Sequence, residues 1–461
     1  MEYGREWIKN KNVLVLGLAK SGLAVSKLLI RLGAHVTVND QKEEHPENHL
    51  SELKALGVKV ILGGHPEGLI HKGIDLIVKN PGIPYTAGPV QEGIKTEIPI
   101  ITEVELAYWI SKSPIVGITG SNGKTTTTTL VGEILAKANR APIVAGNIGT
   151  VLCEQAETVK EDQVLVAELS SFQLKGTLLF QPQVACLLNV IPAHLDYHKT
   201  WEDYITSKGK LFSNMTADQI GVFNADNEGA RDVASTAPCQ VMWFSRLQSV
   251  DFGAYVENEA IVFRSEQGKE EIIAISQIAI PGTHNLENAL AATAICKSLG
   301  VEGKIIAEVL ASFQGVEHRL EFVSEIDMVK YYNDSKATNS SATMKALQSF
   351  QNPIVLIAGG LDRGYDFMEL IPMLKERVKG LVAYGQTKER FRHIGELAGL
   401  KYLVIVDTVE QAVLEARKVA NAGDIVLLSP ACASWDMHAS FEERGSIFKE
   451  SVHMLKTSPN K

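Results

Sequence analysis

Apolar positions along this chain come in two rhythms that alternate from one end to the other: short unbroken runs rich in β-branched residues, and longer stretches with helical spacing. Unbroken runs mark strands buried on both faces. Their alternation with helical stretches predicts parallel sheets with right-handed crossovers. Asn12 to Gly17 is the first run; a glycine turn follows, then a helical pattern through Leu32, and His35 to Asn39 is a second strand ending at Asp40. Asp75 to Val78 reads as a strand closed by the turn Lys79-Asn80-Pro81-Gly82-Ile83-Pro84. From Ile100 to Ser113 the pattern is helical and breaks at Pro114, which places a boundary there.

A second unit begins at Ile115. Strands are expected at Gln163 to Ala167, Val184 to Val190 and Gln219 to Phe223, and Gln240 to Ile280 alternates like a small antiparallel addition. A helix from Glu287 to Ser298 and a short one over Lys304 to Ser312 follow. The third unit has strands at Val329 to Tyr332, Ile354 to Ala358, Gly380 to Tyr384, Lys401 to Val406 and Asp424 to Leu428, with helical patterns between them. The expectation is an α/β chain of three domains, 1–110, 111–315 and 316–461, with a loose tail at Thr457 to Lys461.

Composition narrows the class. A chain of 461 residues is too long for one ordinary core. A formal charge of −9 argues against a nucleic-acid partner but leaves anionic small substrates open, since local basic groups suffice for them. Five scattered cysteines with no Cys-x-x-Cys give neither a disulfide framework nor a zinc site. The first apolar run is broken by Lys20 and Ser21, so it reads as a strand and not a signal peptide, and no stretch is long enough to span a bilayer. A cytoplasmic protein with no membrane insertion is expected.

The richest segment chemically is Val116-Gly117-Ile118-Thr119-Gly120-Ser121-Asn122-Gly123-Lys124-Thr125-Thr126. A strand enters a glycine turn that delivers Lys-Thr into a helix, which is how backbone N–H groups and a helix N-terminus hold phosphates. Lys124 would reach the outer phosphates and Thr125 would ligate Mg²⁺. The position five before Gly123 is Ile118, so this is a shortened form of the usual phosphate loop.

Other segments leave alternatives open. Gly17-Leu18-Ala19-Lys20-Ser21-Gly22 is not G-x-G-x-x-G; a dinucleotide, a sugar nucleotide and a purely structural turn all fit, and Asp40 is either a sugar ligand or a cap. Glu168 at a strand end is the expected second Mg²⁺ anchor or else a helix-capping acid. His194 could ligate metal, although a lone histidine is more often structural, and Lys208 reads as an exposed helix lysine. His318-Arg319, Asn333-Asp334-Ser335-Lys336-Ala337-Thr338-Asn339, Ser429-Pro430-Ala431-Cys432-Ala433-Ser434-Trp435-Asp436 and Phe441 to Gly445 follow in the third unit, two of them at strand ends where parallel sheets bind ligands. No Gly-x-Ser-x-Gly or His-Glu-x-x-His is present, so nothing supports a hydrolase triad or a zinc protease.

Taken together, Asn80-Pro81-Gly82-Ile83, Thr119 to Thr125, Glu168-Leu169-Ser170-Ser171-Phe172-Gln173-Leu174, Asn333 to Asn339 and Ser429 to Ser434 make the chain resemble, nearly end to end, the ATP-dependent Mur ligases that build the peptidoglycan peptide. The resemblance implies a Rossmann-like first domain, a phosphate-loop ATPase-like central domain and a Rossmann-like last domain. It implies D-glutamate addition to UDP-N-acetylmuramoyl-L-alanine through an acyl phosphate, with ATP and two Mg²⁺ ions, by a monomer. By the same resemblance Gly120, Ser121, Asn122, Gly123, Lys124, Thr125 and Thr126 hold phosphates, and Asn285, Asn288, Arg319 and Asp334 hold the rest of the nucleotide. Thr125, Glu168, His194 and Lys208 serve the metals, with Lys208 carried as a carbamate, which turns the bare-sequence reading of that lysine around. Lys124, His194 and Lys208 become the catalytic set. Leu18, Ala19, Lys20, Ser21, Asp40 and Asn80 would take the UDP part, and Asn147 with His194 the muramoyl-alanine. Thr338, Arg363, Ser434, Trp435 and Phe441 would take D-glutamate. Arg363 stands where the family often has lysine, and Pro192-Ala193 where many members have an acidic residue.

Three competing readings stay in view. A folylpolyglutamate synthetase would share the phosphate loop but not the Asn333 and Ser429 segments. A dinucleotide oxidoreductase would leave Lys124 unexplained. A nucleotide-binding protein without catalysis would release no phosphate.

Overall fold

The computed structural model describes residues 3–457. Positions 458–461 of the expected tail lie outside the described residues, while Thr457 ends the final helix, Phe441–Thr457.

The β-branched runs form three sheets. The first contains β1 (Asn12–Leu16), β2 (His35–Asp40), β3 (Lys59–Leu62), β4 (Leu76–Lys79) and β5 (Ile100–Ile101), all parallel, in the order β3-β2-β1-β4-β5. Val13 to Leu16 are all buried, as a central strand covered on both faces requires. Gly17 then turns the chain at φ +91°, and a Cβ there would meet Asn80 Cβ at 2.9 Å, so the glycine lets the β1 and β4 turns touch.

The second sheet contains β6 (Ile115–Thr119), β7 (Pro142–Gly146), β8 (Val164–Glu168), β9 (Val184–Leu187), β10 (Ile220–Asn224), β11 (Gln240–Ser245), β12 (Gly253–Glu257), β13 (Ala260–Ser265) and β14 (Gly268–Ala274), in the order β14-β13-β12-β11-β10-β9-β6-β8-β7. β6 is wholly buried between β8 and β9. The third contains β15 (Glu321–Ile326), β16 (Val329–Asn333), β17 (Ile354–Gly359), β18 (Val378–Tyr384), β19 (Tyr402–Ile405) and β20 (Ile425–Leu428), in the order β15-β16-β20-β17-β18-β19. The first two sheets belong to one compact unit, which runs to Gln277 and includes Glu287–Ala311; the third belongs to another, Ile278–Leu286 with Ser312–Lys461.

Three expectations need correction. Ile100 and Ile101 are not helical: they pair with Ile77 and Val78 as β5, and the helix is confined to Glu103–Ile110. A two-residue edge strand is too short to interrupt an apolar helical pattern visibly. The segment from Gln240 is not wholly antiparallel either. β11 and β12 continue the parallel sheet, and only β13 and β14 reverse, because the tight turn at Asn258 and Glu259 comes after β12. The Ala-rich helix starts four residues earlier than expected, at Thr283. In the third sheet β15 pairs antiparallel with β16, a hairpin whose mixed charges hid its first strand from the apolar pattern.

Candidate active site

The carboxyl ends of β6, β8 and β9 lie side by side, since Ile118 pairs with Glu168 and Thr119 with Leu187. Open parallel sheets bind ligands at this edge because several loops and helix N-termini converge there. The turn after β6 enters the helix Lys124–Lys137 through Gly123, whose φ is +84°. A Cβ on Gly123 would come within 2.3 Å of Asn288 Oδ1, so backbone conformation and close approach both demand glycine. No side chain caps this helix, so its first N–H groups remain available to an anion.

The loop is held from outside. Asn122 N donates to Asn189 Oδ1 at 2.9 Å and Asn189 Nδ2 returns a bond to Asn122 O at 3.2 Å. Ser121 Oγ accepts from Ile191 N at 3.0 Å and is hydrogen-bonded to Tyr204 Oη at 2.9 Å. Asn189 and Tyr204 were not singled out by the sequence; an Asn directly after the apolar run of β9 is the only local signal for the former. Thr125 and Thr126 are buried in the first helical turn, and Thr127 Oγ1 reaches Asn288 Oδ1 at 3.3 Å.

Two lysines meet on one carbonyl. Lys124 Nζ folds back on its own loop and donates to Gly120 O at 2.9 Å and Ser121 O at 3.2 Å. Lys208 Nζ donates to the same Gly120 O at 2.9 Å and sits 4.8 Å from the Tyr204 ring centroid. Lys208 is only 1% exposed, which overturns the reading of an exposed helix lysine: its helix, Trp201–Gly209, turns that face inward. Burial, and then the nearby Lys124 charge, push the Lys208 pKa well below the ordinary lysine value. The same burial that seals Lys208 therefore disfavours its charged form relative to an exposed lysine.

Glu168 ends β8 and is buried. Asn147 Nδ2 donates to its Oε1 at 2.8 Å, whereas Oε2 has no partner. A buried carboxylate oxygen left without a partner is costly unless a cation or donor completes it. The helix-capping alternative does not hold, because Ser170 caps the helix Ser171–Leu174 together with Gln173. His194 has φ +57° and begins the short helix Leu195–His198. Its ring packs edge-on against Phe172 at 5.0 Å. Partial burial, Lys124 and Lys208 hold its pKa below the usual histidine value, which keeps the imidazole neutral and able to ligate. His198, given no role from sequence, is buried and pairs with Ser171 Oγ at 2.9 Å and Asp203 Oδ2 at 3.0 Å, anchoring this helix.

The first sheet contributes a second cluster. Asp40 Oδ2 accepts from Leu18 N at 2.6 Å and Oδ1 from Lys42 N at 2.9 Å, so its carboxylate caps the β1 and β2 turns. Burial alone would raise its pKa, but those N–H donors and His45 hold it below the usual carboxylate range. Asn80 Nδ2 donates to Ser21 Oγ at 2.9 Å, which joins two predicted residues directly. Ala19 precedes the helix Lys20–Arg31 without a side-chain cap, and Lys20 Nζ donates to Gly149 O.

In the other unit the turns after β16, β17 and β20 converge. Ser429 Oγ donates to Asp334 Oδ2 at 2.8 Å and Leu320 N to Oδ1 at 3.2 Å; burial raises the Asp334 pKa to about 7. Arg444, fully buried, donates to Ser335 Oγ at 2.9 Å, Ser335 O at 2.7 Å and Cys432 O at 3.0 Å, and so ties two predicted loops together. Arg444 had no role of its own in the sequence reading. Ser434 Oγ is buried without a partner. Arg363 lies 5.1 Å from the ring centroid of exposed Trp435, and Lys336 Nζ lies 5.5 Å from that of Phe441. Thr338 and Arg319 are half-buried, and Asn285 Nδ2 donates to Pro281 O at 2.7 Å.

Comparison with known proteins gives three domain matches: a Mur ligase MurD-like N-terminal domain over 11–102, a Mur ligase middle domain over 118–296 and a Mur ligase glutamate ligase domain over 318–432. The chain is 50% identical over 447 residues to proteins of Bacillus mycoides and Bacillus cereus named UDP-N-acetylmuramoylalanine--D-glutamate ligase, covering 97% of this chain and 98% of each relative. Among solved structures it is similar to a MurF from Acinetobacter baumannii (TM-score 0.61, 19% identity, 95% of this chain and 93% of that one). It is also similar to a UDP-N-acetylmuramate-alanine ligase from Thermotoga maritima (TM-score 0.57, 19% identity, 97% and 100%). At that identity the two structures speak for the fold alone.

Proposed function

The chain belongs to the Mur ligase family, and from that premise we propose how its residues carry out the reaction. It is an ATP-dependent amide ligase that adds D-glutamate to UDP-N-acetylmuramoyl-L-alanine in peptidoglycan precursor synthesis. The observation that carries the site reading is the unpartnered Glu168 Oε2, one strand away from an uncapped phosphate-loop helix.

These residues fit a divalent cation. Mg²⁺ takes few protein ligands and fills its shell with phosphate and water, and the buried, unpartnered Glu168 Oε2 offers it one oxygen. Thr125 and Glu168 would hold one ion, and His194 with a carbamate on Lys208 a second. When bound, these ions screen the charge between a carboxylate and a triphosphate. The carbamate forms when the neutral Lys208 amine attacks the carbon of CO₂ and gives up a proton, which turns a buried base into a buried anion. Lys124 and the loop N–H groups bind and orient the outer phosphates. The L-alanyl carboxylate takes the terminal phosphoryl group as an acyl phosphate, and ADP is released. The D-glutamate amine then attacks that carbonyl, and inorganic phosphate departs. Placement of three ligands is the larger part of the catalysis.

In this reading Gly120 to Thr126, Asn285, Asn288, Arg319 and Asp334 bind ATP. Leu18 to Ser21, Asp40 and Asn80 bind the UDP moiety, Asn147 and His194 the muramoyl-alanine, and Thr338, Arg363, Ser434, Trp435 and Phe441 D-glutamate. We take the domain limits to lie near 110 and 315, a division that the presence of three separate sheets supports. We take the enzyme to be cytoplasmic and to act as a monomer; among the described residues no helix is long and apolar enough to cross a membrane. The test is phosphate release from MgATP and UDP-N-acetylmuramoyl-L-alanine with D-glutamate, L-glutamate, L-lysine or no acceptor. Release that needs both the nucleotide sugar and D-glutamate is expected; release with another acceptor would refute the assignment.

A further inference from the structure

Lys79 is a second sealed lysine, far along the chain from Lys208 and unused by the mechanism above. It ends β4 and is 1% exposed. Nζ donates to Asn80 O, Pro81 O and Tyr197 Oη, each at 3.3 Å, and lies 4.9 Å from the Tyr85 ring centroid. Among the described residues no carboxylate lies within ion-pair distance of it; the nearby Lys175 is itself paired with Asp203 at 2.6 Å. Tyr197 completes the junction, since its hydroxyl also lies 3.0 Å from Pro81 O and 3.2 Å from Ile83 O. The Tyr197 ring packs at 4.4 Å on Phe172, the same ring that holds His194.

A buried ammonium without a counter-ion is a poor way to stabilise a fold; an apolar side chain of similar volume is usually neutral or better there. What lysine supplies instead is three donors, and three oxygens are arranged to receive them. Two of those oxygens belong to the turn that carries Asn80, and the third to the helix that follows His194. We propose that Lys79 is a positioning residue for the UDP-bearing substrate: with Tyr197 it straps the Asn80 turn to the His194 segment and sets the spacing between the groups that hold opposite ends of that molecule. Burial, and then Lys175, lower its pKa to about 7, in keeping with a charge held in place at a cost. This rests on Asn80 and His194 being substrate ligands as proposed above.

The test is steady-state kinetics of the full-length enzyme with each of the three substrates varied in turn, for Lys79→Met, Tyr197→Phe, the double variant, and Asn80→Ala and His194→Ala as direct probes of the substrate site. Loss of hydrogen bonds from a charged donor predicts that Lys79→Met raises KM for the UDP substrate about tenfold, with kcat and the KM values for ATP and D-glutamate changed less than about twofold. Tyr197→Phe should shift the same KM by a smaller factor, and the double variant should be no worse than Lys79→Met alone. If Asn80→Ala and His194→Ala raise that KM but Lys79→Met and Tyr197→Phe do not, the strap is refuted while the site reading stands. If none of the four moves it, the site reading itself fails. Parallel loss in kcat and all three KM values, with a lower melting temperature, would show a merely structural lysine. Should Lys79→Met not fold, Tyr197→Phe decides by the same KM criterion.

Discussion

Lys208 and Lys79 carry the same burden, an amine buried to 1% exposure with a lowered pKa, in two different surroundings. Lys208 shares Gly120 O with a second cation, Lys124, next to a loop and a helix N-terminus whose N–H groups seek an anion. Lys79 meets two carbonyls, a phenol and a ring face, and its cationic neighbour Lys175 is already committed to Asp203. The first environment rewards conversion of the amine into an anion; the second rewards keeping it as a donor. Burial lowers both pKa values, but the chemistry of the neighbours decides what each lysine is for.

That contrast breaks most visibly at Lys208. Lys208→Arg keeps a cation and cannot form the carbamate, and phosphate release should fall by roughly a thousandfold, a loss on the scale of removing a group needed for transition-state charge. An active Lys208→Arg enzyme would make the two lysines alike. Glu168→Gln tests the same region more gently: a titration of activity against Mg²⁺ should move to higher concentration, with kcat/KM down on the order of a hundredfold. Unchanged Mg²⁺ dependence would remove Glu168 from the metal site.

The smallest effect sharpens the other side. A lysine whose folded pKa lies near 7 and whose unfolded value is near 10.5 is penalised in the fold wherever it is charged. The unfolded chain binds the extra proton between those values, so this contribution to stability rises with pH from about 7 to about 10.5. Thermal melts should therefore show Lys79→Met gaining most over the parent below pH 7 and progressively less toward pH 10. Tyr85, Tyr197, Lys175 and Asp203 are the other ionisable groups facing this site, and the substitution leaves all four in place. A gain that grows with pH would refute the sign.

Sequence patterns revealed these two regions unequally. The phosphate loop was legible because everything it needs is local: a β-branched run, Gly123 at positive φ and a Lys-Thr pair at a helix start. β1, β6, β8, β17 and β20 were legible for a similar reason, since buried parallel strands are unbroken apolar runs. β5 was misread because a two-residue strand barely interrupts an apolar helical pattern, β15 was missed because its mixed charges hide it, and the direction of β11 was misread because an apolar run does not say whether its neighbour is parallel. Lys208, Glu168 and His194 come from three separate segments, and in the sequence only the family resemblance joins them; in the fold the Lys208 charge reaches His194 and helps lower its pKa. Lys79 and Arg444 were invisible for a simpler reason. Each stood inside a segment noted for its turn or its strand-end position, and nothing local shows that either side chain is sealed inside.

The contrast between the two lysines is tested most directly by carbon-13 NMR of the full-length protein equilibrated with ¹³C-bicarbonate, beside Lys208→Arg and Lys79→Met. The account predicts one protein-bound carbamate resonance in the parent and in Lys79→Met, absent from Lys208→Arg. No such resonance in the parent, or one that survives in Lys208→Arg and disappears in Lys79→Met, would contradict it.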